Sequence, residues 1–112
     1  MKILEMFFVQ KFCENTKLKI LSTKKTIEGN SVWILAATPG CTITSAKIVS
    51  TENSVAITFA DKGRQIRLGL DLNMALVDKD LGPWEENQVE EAAAFEQRIL
   101  SYIPVATDWY QS

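Results

Sequence analysis

Apolar residues along this chain alternate with polar ones up to residue 70 and then change period, so strands are expected first and a helix late. Residues 17–22 alternate, with Leu18 and Ile20 on one side and Lys17 and Lys19 on the other. Residues 23–30 are polar and broken by Gly29-Asn30, which predicts a turn. Ser31–Ala37 is unbroken apolar sequence through Val32-Trp33-Ile34-Leu35-Ala36, the pattern of a central strand covered on both faces. Pro39-Gly40 turns the chain, and residues 41–50 are rich in Thr, Ile and Val, which suits a strand. Residues 55–59 and Arg64–Leu70 predict two more strands joined through Asp61-Lys62-Gly63, with Gly63 supplying the positive φ of a short hairpin loop. On the last of these Ile66, Leu68 and Leu70 face a core, and Gln65 and Arg67 face out. Residues 71–82 show no regular pattern.

The period then becomes helical. Gly82-Pro83 is a favourable start, Glu85 and Glu86 suit the positive end of the helix dipole, and Pro104 stops the element after Ile103. At ~100° per residue, Trp84, Val89, Ala92, Ala93, Phe95, Ile99, Leu100, Tyr102 and Ile103 occupy one half of the circumference. Glu86, Asn87, Glu90, Glu91, Gln97, Arg98 and Ser101 fill the other half. Glu96 falls inside the apolar arc. It is expected at the edge of the helix–sheet contact, paired with Arg64 or Arg67, because a buried carboxylate needs a partner. Residues 3–13 fit either a strand or a deeply buried helix: Met, Leu, Glu, Gln and Lys favour helix, and Phe7-Phe8-Val9 favours strand. The expected fold is α+β: a mostly antiparallel sheet of about five strands with one amphipathic helix, 84–103, on one face, forming a single domain over 1–112.

Composition is that of a globular chain, 46% apolar and 23% charged. The net charge of −2 conceals a division. Residues 1–70 carry ten Lys and Arg against five Asp and Glu, and residues 71–112 carry two against nine. No run approaches the ~20 apolar residues of a membrane helix, and no cleavage signal follows the apolar start, so a cytoplasmic protein with no membrane contact is expected. Cys13 and Cys41 are then expected as reduced thiols.

The chain contains no histidine. Ser-His-Asp and Cys-His nucleophiles and histidine-ligated metals are therefore unavailable within one chain, and no enzyme activity, cofactor or metal is expected. Asp78-Lys79-Asp80-Leu81-Gly82 fails as a calcium loop, because Pro83 and Val89 occupy the positions that need glycine and glutamate. The glycines are too dispersed to cradle phosphate.

Binding chemistry remains. An acidic helix face can be a solvated surface, it can meet the basic strands within the fold, or it can dock a basic protein. The third reading assigns Glu86, Glu90 and Glu91 as the electrostatic face, with Trp84, Trp109 and Tyr110 as aromatic anchors, in an inhibitor or immunity-type protein. Trp109-Tyr110 can alternatively fold back over an open end of the core. The alternative function is nucleic-acid binding through Lys17, Lys19, Lys24, Lys25 and Arg67 on one sheet surface. The strand aromatics Trp33 and Phe59 lie in apolar runs and are assigned to the core.

Overall fold

A computed structural model of the chain describes residues 2–71, 73 and 75–104. The N-terminal segment is a helix, α1 (Lys2–Thr16). Its Phe8, Val9 and Phe12 are completely buried, with the rings of Phe8 and Phe12 stacked at 6.3 Å and Phe12 6.1 Å from Phe59 of the sheet. The helix ends at Lys17, which takes a left-handed φ of 65° and donates its N–H to Cys13 O at 2.8 Å. That is the five-to-one bond of an αL cap, closed here without glycine.

Six strands follow: β1 (Leu18–Lys25), β2 (Ser31–Ala37), β3 (Ile43–Ser50), β4 (Val55–Asp61), β5 (Arg64–Leu70) and β6 (Leu76–Asp80). They form one antiparallel meander in sequence order. The α+β class and the antiparallel sheet agree with expectation. The sixth strand lies within 71–82, where too few apolar residues alternate to reveal it: β6 reads Leu-Val-Asp-Lys-Asp and is an exposed edge. The β4–β5 loop is the two-residue turn Lys62-Gly63, both with positive φ.

The register fixes the faces. Trp33, Ile48, Ile57 and Leu68 lie in one row across β2–β5, and all are buried. Leu35, Ala46, Val55, Phe59, Ile66 and Leu70 share that inner face and the core. Trp33 and Phe59 are core residues, as expected, and Ile66, Leu68 and Leu70 face inward. Ile20 stands opposite inward Leu35 and shares the inner face with Leu18, as expected, but on edge strand β1 it stays 42% exposed, and the bulge that follows it leaves Leu21 exposed as well. β2 is also second in the sheet rather than central.

The late helix is shorter than 84–103. Gly82 has φ 82° and an added Cβ would stand 3.0 Å from Arg64 Nη1, so the chain passes close to β5 before any helix begins. A 3₁₀ turn (Glu86–Gln88) leads into α2 (Val89–Ser101). The Glu85 N–H donates to Gln88 Oε1 at 3.0 Å, which ties down the start. Ile99 is fully buried and Phe95, Tyr102 and Ile103 pack on the core. Both helices therefore cover the same inner face, and Asn15 Nδ2 donates to Tyr102 O at 3.1 Å between their C-terminal ends. No helix among the described residues is long and apolar enough to cross a membrane.

Candidate functional site

Residues of α2 point in three directions. The inner side carries Phe95, Ile99 and Tyr102, and beside them is Arg98, which the helical-wheel reading had placed outward. Arg98 turns in because Asp61, fully buried at the end of β4, is bonded to it: Arg98 Nη2 donates to Asp61 Oδ2 at 3.0 Å. On the β6 side Glu96 pairs with Lys79, not with Arg64 or Arg67. Lys79 stands opposite Leu68 on the inner face and reaches α2 directly, whereas Arg67 points to the other face and pairs with Asp80 at 3.6 Å.

Arg64 has a different task. Its guanidinium lies 3.6 Å over the Trp84 ring and donates to Pro83 O at 2.7 Å and Leu81 O at 3.3 Å. Trp84 in turn meets Phe95 edge-on at 5.5 Å, and Arg98 lies 5.0 Å over Phe95. A cation–aromatic stack thus clamps residues 81–84 onto the sheet before the helix begins. Beside it an open cleft of about 440 Å³ is lined by Asp61, Lys62, Arg64, Trp84, Glu91 and Phe95, among others. Trp84 is half-buried in this stack, so part of its ring is committed to the fold.

The outer side of α2 is the acidic one. Glu86, Glu90, Ala93 and Gln97 form a ridge at i, i+4, i+7 and i+11 and are all exposed. Val89, expected on the apolar arc, is 70% exposed beside them, and Ala93 is exposed too. Glu91 points to the cleft rim, where its Oε2 accepts from Gln88 Nε2 at 3.4 Å. Among the described residues none of Glu85, Glu86, Glu90 and Glu91 takes part in an ion pair. Trp109 and Tyr110 lie outside the described residues.

The basic residues named from sequence are brought together only in part. Lys19 stands opposite Ala36, Lys24 opposite Val32 and Arg67 opposite Thr58, all on the outer sheet face. Lys25 stands opposite buried Ser31 on the inner face, and Lys17 is in the turn before β1. Lys47, missed from sequence, joins the outer face opposite Ile34 and Thr58. Its place at an outward position of β3 became visible only with the register, because a second bulge between Thr44 and Lys47 shifts the phase of that strand.

Burial and the neighbouring Asp61 carboxylate raise the Tyr102 hydroxyl above its ordinary range, and burial pushes the Cys13 thiol up to about 11. Neither group is poised for proton transfer near neutral pH. Among the described residues no three Cys, Asp or Glu side chains gather as a metal site requires. No family model, curated protein or solved structure matches the chain.

Proposed function

We propose that this chain is a small non-enzymatic binding module that docks a basic partner protein on the outer face of α2, in an inhibitor or immunity-type role in the cytoplasm. The observation that carries this is the distribution of ion pairs. Among the described residues Arg98 pairs with Asp61, Lys79 with Glu96 and Arg67 with Asp80, and Glu86, Glu90 and Glu91 take part in no ion pair. Internal compensation accounts for the first three acids and not for the last three. Uncompensated like charge on one helix end raises the encounter rate with a basic surface. Trp84, held rigid by Arg64 and Phe95, stands beside Glu91 as a preorganised aromatic edge for the same partner.

Nucleic-acid binding is the weaker reading. The outer sheet face carries Lys19, Lys24, Lys47 and Arg67, but its described strand positions offer no aromatic ring for stacking bases, since Trp33 and Phe59 face inward. The test is capture from native extract by the immobilised protein at low and high salt. A basic protein retained at low salt, released at high salt and not retained by Glu86→Lys/Glu90→Lys supports the proposal. Equal retention by the charge-reversed variant, or retention of nucleic acid alone, overturns it.

A further inference from the structure

β2 reads as a strand covered on both faces, yet both helices lie on one side of the sheet. Trp33 and Leu35 enter the core, whereas Val32, Ile34 and Ala36 point to the open face and remain only half-buried there. Val49 of β3 stands opposite Val32, and Ala56 of β4 opposite Val49, so the apolar strip continues across three strands. A solvated antiparallel sheet normally shows polar residues at such positions. Lys19 and Lys24 on β1 and Lys47 on β3 frame the strip, and none of the three is engaged by an acid among the described residues.

The complement of that surface is present elsewhere on the same chain. The outer ridge of α2 offers exposed Val89 and Ala93 flanked by Glu86 and Glu90. From residue 86 to residue 97 this ridge is ~16 Å long, and the seven residues of β2 give a strip of ~23 Å, so the helix fits along it. We infer that the basic surface docked by α2 is the open sheet face of a second copy, with Val89 and Ala93 of one copy on Val32, Ile34 and Val49 of the next, and Glu86 and Glu90 against Lys19, Lys24 and Lys47. The proposal rests on the docking role of α2 given above. Because α2 and the open face lie on opposite sides of one sheet, the contact is head-to-tail and can add further copies.

The test is sedimentation of the full chain over a range of concentrations at low and high salt. The expected result is a mass that rises with concentration at low salt and falls back with added salt. Glu86→Lys/Glu90→Lys alone and Lys19→Glu/Lys47→Glu alone should each weaken association more than ~10-fold, since each sets like charges against each other. An equimolar mixture of the two variants should associate again, because the reversed ridge meets the reversed face. Lys19→Gln/Lys47→Gln, which perturbs the sheet less, should weaken association without loss of the folded circular-dichroism spectrum. A monomer at every concentration at low salt, or a mixture that stays monomeric, overturns the inference. Capture of a foreign basic protein by Lys19→Glu/Lys47→Glu would then leave the docking role of α2 standing, and loss of that capture only in the α2 variant would locate it there.

Discussion

Asp61 and Arg98 form the one ion pair among the described residues in which a partner is fully buried: Arg98 Nη2 stands 3.0 Å from Asp61 Oδ2. The pair joins the end of β4 to the last turn of α2, and it sets the rotation of the helix. With Arg98 turned inward, Val89 and Ala93 turn outward. Arg98→Leu leaves a buried carboxylate without its cation and is expected to cost ~3 kcal/mol. Asp61→Leu/Arg98→Leu removes both charges and should be more stable than Arg98→Leu alone. Urea denaturation of the three proteins checks this, and a double variant no better than the single would contradict it.

Trp84 is predicted to serve the fold as well as any partner. Trp84→Ala removes a cation–aromatic stack with Arg64 and an edge contact with Phe95, together worth ~2 kcal/mol. The same denaturation measurement shows whether the stack contributes. An unchanged midpoint would mean that residues 81–84 are held without it.

Glu96→Gln should have a small effect. Its partner Lys79 lies on an exposed edge strand, and pairs of that kind contribute ~1 kcal/mol or less. The loss should equal that of Lys79→Met and should not add to it in the double variant. Full additivity would show that the two side chains act independently.

Stability should decline at alkaline pH. An unfolded thiol ionises near ~8.5, whereas Cys13 keeps its proton up to about 11. Its contribution is therefore complete below the unfolded value and is lost as pH rises through the folded one. Tyr102 is shifted in the same direction and acts in the next window up, above ~10. Thermal denaturation from pH 8 to pH 11 should show a steeper loss in the wild type than in Cys13→Ser. Identical slopes would contradict the assignment.

Most of the sheet was legible in the sequence because its strands alternate cleanly: Ile66, Leu68 and Leu70 face inward as the pattern requires. Other features rest on contacts between distant residues. No local pattern tells that Asp61 needs Arg98, so the helical wheel placed Arg98 with the polar residues and Val89 with the apolar ones. The bulges at Ile20/Ser22 and Thr44/Lys47 shift phase within a strand, and the second hides Lys47. β6 was missed because an edge strand with three charged residues has no apolar alternation to show. The acidic side of the late helix was legible from composition. Which glutamates remain without a cation was not, since that depends on where Lys79, Arg67 and Arg98 point.

The glutamates without an ion pair among the described residues carry the functional claim, and the direct test is the affinity of the purified basic protein captured at low salt, measured by calorimetry against the wild type and Glu86→Lys/Glu90→Lys. With folding stability matched, the account predicts more than ~10-fold weaker binding by the variant and a wild-type affinity that falls with salt. Equal affinities for the two proteins would contradict it.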